Sequence, residues 1–175
     1  MKGVINGIAP WLRTVFLAIS FALVVNQFGL ALSVVNGTSM EPTLEDGDRL
    51  LINKFHFMVN EPQRGDVVTF KDPTRNGRYL VKRVVGVPGD RIEIRDHTLI
   101  RNGKKEHEPY INTEIEDGDY GPIVVKEGHV FVMGDNRQQY ASRDSRYKSV
   151  GQVPNRLIEG KVEFILWRPS LAAFL

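Results

Sequence analysis

From Thr14 to Val35 the chain runs 22 residues without a charge, TVFLAISFALVVNQFGLALSVV. No other stretch constrains the fold as tightly. As a helix rising 1.5 Å per residue it would span about 33 Å, close to the roughly 30 Å of a bilayer core. Its apolar residues fall on every face, as lipid contact requires, and Asn26 with Gln27 is its weakest point. Lys2 and Arg13 precede it, so the positive-inside rule predicts a cytoplasmic N-terminus and an extracytoplasmic bulk. The competing reading is a cleaved leader, because Ala31-Leu32-Ser33 sets small residues two apart. The apolar region of a leader usually covers about 7–15 residues, and this one is longer. The expectation is a retained transmembrane anchor over 14–35 behind a short cytoplasmic segment, 1–13.

Charge and composition narrow the partners. The formal net charge is +2, from 23 basic and 21 acidic residues. Residues 1–40 hold two of the basic ones and no acid, which leaves 21 of each sign beyond them. A neutral bulk gives no electrostatic case for nucleic acid. Cysteine is absent, which excludes disulfides, thiolate nucleophiles and thiolate metal sites. No His-Glu-x-x-His motif, histidine cluster or calcium loop occurs either, so no metal or other cofactor is expected.

Beyond residue 36 the pattern changes to short β-branched or aromatic runs: Asp66–Phe70, Arg78–Val85, Arg91–Ile94, His129–Met133 and Lys161–Trp167. Glycine turns punctuate them, at Asp46-Gly47, Asn76-Gly77, Pro88-Gly89, Asn102-Gly103, Asp117-Gly118 and Glu127-Gly128. Asn102-Gly103 is the sharpest hairpin signal. Helical periodicity is nearly absent apart from a turn near Pro154–Ile158. The fold class is therefore all-β, a mainly antiparallel folded sheet or barrel-like domain carrying one N-terminal transmembrane helix. Residues 95–127 are polar and form an expected small inserted subdomain. A β-rich core is expected over 36–94 and 128–170, with a tail at 171–175.

Three clusters carry candidate chemistry. Ser39 lies in Asn36-Gly-Thr-Ser-Met-Glu-Pro-Thr-Leu44, just past the expected membrane exit. A serine in such company usually belongs to a turn, and its hydroxyl is inert until a neighbour accepts the proton. Gly37 permits close backbone approach, and Pro42 fixes the outgoing chain. His56, His97, His107 and His129 are scattered and read as surface or structural. Lys82 interrupts an apolar strand, where alternation places Lys82 and Arg83 on opposite faces. One reading is a rim lysine snorkelling to water; the other is a lysine desolvated until it is neutral. At an ordinary pKa near 10.4, only about one lysine in 2,500 is neutral at pH 7. Burial can shift that enough to make a general base. The third cluster, Met133-Gly-Asp-Asn-Arg137 with Ser142-Arg-Asp-Ser-Arg146, reads as a loop oriented by Asp144 with Arg146 or Arg137. Ser142 and Ser145 are able to hydrogen-bond near a reacting group.

Together these clusters resemble the type I signal peptidases, in their short Gram-positive form. The resemblance rests on the order of a membrane segment, Gly37–Leu44, Tyr79–Asp90, Gly134–Arg137 and Asp144–Arg146, and covers nearly the whole chain. It implies a Ser-Lys serine endopeptidase that removes signal peptides from exported preproteins after small residues at −3 and −1. In that scheme Ser39 is the nucleophile and Lys82 the general base. Ser142 holds the lysine amine, Asp144 and Arg146 brace the site, and the Ser39 N–H serves the oxyanion. Gly37, Met40, Pro42 and Leu80 are the implied substrate neighbours. The implied setting is a monomer in the plasma membrane, single-pass, working with preproteins and the lipid bilayer. Two departures stand out. The spacer Gln138–Arg143 is about two residues longer than the family's. Gly37 also replaces the serine that some relatives use as a second oxyanion donor. The rival readings are an SOS-repressor-like self-cleaving domain and an inert membrane-tethered β-module that binds exported proteins.

Overall fold

Among the described residues eleven strands form two antiparallel sheets, and the turns at Gly47, Gly77 and Gly103 each reverse the chain between strands that pair with one another. The structure is a computed structural model; it describes residues 2–172, with side chains described at 10–23 and 29–170. Met1 and part of the expected tail lie outside the described residues. The larger sheet has the order β1 (Leu30–Val34), β2 (Arg49–Asn53), β11 (Ile158–Trp167), β3 (Val67–Lys71), β4 (Tyr79–Gly86), β9 (His129–Met133) and β10 (Val153–Pro154). The smaller sheet has the order β7 (Lys104–Lys105), β6 (Thr98–Arg101), β5 (Arg91–Arg95) and β8 (Tyr120–Val124). Asn102 and Gly103, both at positive φ (54° and 78°), make the two-residue turn between β6 and β7, as a primed hairpin turn requires.

The boundary between the sheets differs from the one expected. Arg91–Ile94, expected within the 36–94 part of the core, lies in β5, which pairs with β6 and β8 in the smaller sheet. Packing decides this. Ile92 and Ile94 are buried beside Leu99, Ile115 and Val125, and the same apolar cluster takes in Phe131 and Met133 of β9. One cluster thus glues the two sheets together. A second, with Val68, Phe70, Leu80, Val84, Val130 and Val132, fills the interior of the larger sheet. The third consists of Val35, Met40, Leu44, Leu50 and Ile52 and lies beneath the loop from β1 to β2.

The N-terminal region departs most from expectation. Helix α1 covers Lys2–Phe28 and contains Pro10. The uncharged run does not stay helical to Val35: Leu30–Val34 is strand β1, paired with β2 from Leu30↔Asn53 to Val34↔Arg49. One edge of β1 is hydrogen-bonded to β2, and only about 22 Å of helix lies between Thr14 and Phe28. Among the described residues no helix is long and apolar enough to cross a membrane, and the single helix expected over 14–35 is instead the end of α1 followed by strand β1. The side chains described on α1 are nonetheless mostly exposed, including Trp11, Phe16 and Phe21.

Gly160 on β11 shows how tightly the larger sheet is packed. A Cβ there would sit 2.6 Å from Ile52 Cγ2 and 2.8 Å from the Asn53 carbonyl oxygen, and backbone has little room to yield. Gly160→Ala is expected to lower stability by about 1–3 kcal/mol, measured as a fall in the denaturant midpoint.

Candidate active site

The loop joining β1 to β2 is tied at both ends. Val35 N–H donates to the Asp48 carbonyl and Gly47 N–H to the Val35 carbonyl, each at 2.9 Å. Gly37 N–H donates to Asp46 Oδ1 at 2.6 Å, and Gly37 takes φ 99°, a region open to glycine. Met40 and Leu44 turn down into the apolar cluster beneath, which leaves Ser39 facing up. From across the chain Asn136 holds the loop. Its N–H donates to the Ser39 carbonyl at 3.2 Å and its Nδ2 to the Thr38 carbonyl at 3.0 Å. Arg168, just past β11, binds the Thr43 carbonyl and the Asp48 carboxylate.

Strand β4 brings Lys82 to meet that serine. Along Tyr79–Gly86 burial alternates, so Lys82 is buried at 3% exposure while Arg83 turns to the other side. Lys82 Nζ lies 2.6 Å from Ser39 Oγ and 2.7 Å from its neighbour's carbonyl, Val81 O. Burial lowers the lysine pKa to about 8. The Asp144 carboxylate opposes that shift, Arg143 adds to it, Asp135 opposes it, and Arg78 adds a little more. Desolvation dominates, as it does for any cation moved away from water. The Ser39 N–H has no intramolecular acceptor among the described residues, so it remains available to a ligand.

Ser142 differs from its expected part. It is buried, but its hydroxyl donates to Asp144 Oδ2 at 2.8 Å, and no hydrogen bond joins it to Lys82 Nζ. A carboxylate is the stronger acceptor for that proton. Asp144 is fully buried and also accepts Gly134 N–H at 3.1 Å and Arg146 Nε at 2.8 Å. Arg146, not Arg137, is therefore its ion-pair partner. Gly134 is squeezed between the two halves of the site: a methyl group there would overlap Ser142 Oγ and the Ser39 carbonyl.

Ser39 and Lys82 open onto a cleft of about 800 Å³. Its walls are β1, the loop through Met40, the Gly77–Lys82 stretch, and Tyr140 with Ala141 and Arg143. Of the expected substrate neighbours, Gly37, Met40 and Leu80 line it; Pro42 does not. Ser145 accepts Val132 N–H at 2.9 Å, which makes it part of the β9 support. None of the four histidines lines the cleft.

Two residues of the Gly134–Arg137 cluster, Asp135 and Arg137, recruit partners from distant segments. Asp135 is fully buried, accepts Arg83 at 2.6 Å and Thr43 Oγ1 at 2.6 Å. Arg137, also fully buried, donates to the Gly134 carbonyl and pairs with both oxygens of Glu108, at 2.6 and 3.0 Å. Tyr110 OH donates to Glu108 at 2.9 Å, and the Arg83 guanidinium sits 4.0 Å from the Tyr110 ring centre. Burial and the Glu108 charge push the Tyr110 phenol well above its ordinary range. Glu108 and Tyr110 come from the polar 95–127 segment, where nothing in the pattern marked them as partners of a distant arginine.

Comparison with known proteins supplies an independent observation. The family profile described as "Signal peptidase, peptidase S26" matches residues 8–167. Signal peptidase I of Bacillus licheniformis is 39% identical over 171 residues, covering 93% of this chain and 90% of the relative. Signal peptidase IB of Staphylococcus aureus (strain COL) is 36% identical over 177 residues, covering 91% and 90%. The solved structure of a signal peptidase I from Enterococcus faecalis V583 is 34% identical, covering 60% of this chain and 99% of that one, at a TM-score of 0.49.

A lysine whose pKa is depressed to about 8 in the folded protein makes a definite stability prediction. The unfolded chain holds the proton more tightly, so native stability rises with pH between about 8 and 10.5. Below that window the fold carries a buried ammonium at full cost. Lys82→Met is therefore expected to melt above wild type at about pH 6, with the gap narrowing as pH climbs through the window. A calorimetric pH series on both proteins measures it; a gap independent of pH would show that Lys82 does not titrate there.

Proposed function

Because this chain belongs to the signal peptidase family, peptidase S26, we propose that it removes signal peptides from exported preproteins with Ser39 as nucleophile and Lys82 as general base. The reading rests above all on one contact, the 2.6 Å between Lys82 Nζ and Ser39 Oγ at a buried position. With a pKa of about 8, roughly 9% of such lysines are neutral at pH 7. That is a gain of about two orders of magnitude over an ordinary lysine.

The steps follow from that geometry. Neutral Lys82 accepts the Ser39 hydroxyl proton as Oγ attacks the scissile carbonyl carbon. The resulting oxyanion takes the free Ser39 N–H as a donor. Lys82 then gives its proton to the departing amine nitrogen, the C–N bond breaks, and the signal peptide stays as an ester on Ser39. A water that yields its proton to Lys82 attacks that ester and restores the hydroxyl. Asp144 and Arg146 act at one remove, holding Gly134 and Ser142 so that the lysine stays dry and aimed.

An extended peptide suits the cleft. β9 pairs with β4 only from Arg83 onward, so Tyr79–Lys82 keeps one edge free, and β1 is the outer strand of its sheet. Both edges flank the cleft and offer backbone hydrogen bonds to an added strand. Buried Met40 and Leu80 make a shallow floor, which fits small side chains at −3 and −1 by excluding large ones. The exposed aromatic side chains of α1, with Leu32 and Val34 of β1, support attachment to lipid on the extracytoplasmic side. A precursor held by its own apolar segment would meet the site there at raised effective concentration.

The test incubates the detergent-solubilised full chain with a precursor bearing an Ala-x-Ala site and locates the cut by mass spectrometry. Cleavage after the second alanine is expected, and Ser39→Ala or Lys82→Ala is expected to reduce the rate by at least about 10³-fold while the fold persists. Substantial activity in either variant would refute the pairing. The base must be neutral to act, so kcat/KM is expected to rise with pH through about 8 and level off above it. A profile flat from acid to alkaline pH would exclude a lysine base.

A further inference from the structure

The lengthened 138–143 loop builds part of the cleft wall around one aromatic ring. Tyr140 lines the cleft that holds Ser39 and Lys82, and it is 78% exposed there. Its backbone is left-handed, at φ 58°. That conformation is unfavourable for a bulky residue, and it persists only where neighbours over-determine it.

The neighbours are explicit. Three successive backbone N–H groups end on side-chain oxygens. Gln138 donates to Asn136 Oδ1 at 3.2 Å, Gln139 to Glu116 Oε2 at 2.9 Å and Tyr140 to Asp117 Oδ1 at 2.8 Å. Asp117 also pairs with Arg146 at 2.9 Å, so the loop is tied to the same arginine that braces Asp144. At the loop's far end Arg143 reaches the β3–β4 hairpin, where it pairs with the buried Asp72 carboxylate and donates to Thr74 Oγ1 at 3.2 Å. The backbone that carries Tyr140 on the cleft wall is thus tied to both sheets, in a conformation that a bulky residue disfavours.

Resting on the peptidase reading above, we propose that Tyr140 is a specificity-determining residue whose ring contacts one apolar side chain of the bound peptide, and that Asp72 and Arg143 are positioning residues that hold it there. An exposed phenol face in a peptide-sized cleft has the chemistry for that contact, since aromatic rings bury large apolar area with few rotatable bonds. Strained backbone kept at a site is the kind of feature that accompanies ligand contact.

The experiment uses precursor peptides in pairs that differ at one position, leucine against serine, moved one residue at a time along the segment flanking the cut. Wild-type protein is expected to favour leucine by about tenfold in kcat/KM at one position, mainly through KM. Tyr140→Asn removes the ring while tolerating the left-handed backbone; it is expected to erase that ratio, and Tyr140→Phe to keep it. Asp72→Asn is expected to reduce the same ratio. Equal ratios in wild type and Tyr140→Asn, or loss of the ratio in Tyr140→Phe, would overturn the proposal. An unaltered ratio in Asp72→Asn would overturn the positioning part. The same fluorescent peptides are titrated by anisotropy into Ser39→Ala protein with and without Tyr140→Asn, a readout that needs no cleavage. Tyr140-dependent binding without hydrolysis by wild type would remove the peptidase reading and leave this contact standing. Binding indifferent to Tyr140 would remove the contact alone.

Discussion

The site depends on keeping one amine out of water. Lys82 is a cation by default, and the fold buries it on β4 beside the Ser39 loop until the charged form is less favoured than in water. Every other feature of the site serves that enclosure or the 2.6 Å approach to Ser39 Oγ. Asp144 would defeat the purpose if it were free, because its charge favours the ammonium. Arg146 and the Ser142 hydroxyl engage it, which lets a buried carboxylate stay close without dominating the lysine.

That enclosure is built from buried charges, each matched. Asp135 with Arg83, Arg137 with Glu108 and Asp144 with Arg146 are charge-assisted contacts with at least one partner almost without exposure. Such pairs add little net stability compared with an apolar packing, but removing one partner leaves an uncompensated charge and is costly. Their value here is geometric. A guanidinium gripping a carboxylate with two hydrogen bonds fixes direction as well as distance, and these pairs set where the Gly134–Arg137 turn lies relative to the Ser39 loop.

The smaller sheet belongs to this arrangement rather than hanging from the core as an ornament. Glu108 reaches Arg137, Glu116 and Asp117 hold the 138–140 backbone, and Asp117 meets Arg146. Glu108 and Asp117 of the polar 95–127 segment are therefore structural counter-ions of the cleft. The acidic character of Glu108 and Asp117 matches the arginines they face, and the apolar cluster that joins β5 and β6 to β9 places the segment.

The linear pattern was enough to establish an antiparallel β protein, the Asn102-Gly103 turn, and the three clusters around Ser39, Lys82 and Ser142, because alternation and glycine turns are local properties. Alternation also separated Lys82 from Arg83. It was not enough to stop the uncharged run at the right place, since Leu30–Val34 is as apolar as a helix needs and became a strand only because β2 offers it a pairing edge. Nor could it say which acceptor Ser142 would choose, or that Glu108 lies against Arg137 across 29 residues of chain. Those are decided by the meeting of distant segments. Residue type determined what chemistry was available; the packing of two sheets, by excluding water from some polar groups and pairing others, decided which of them act together.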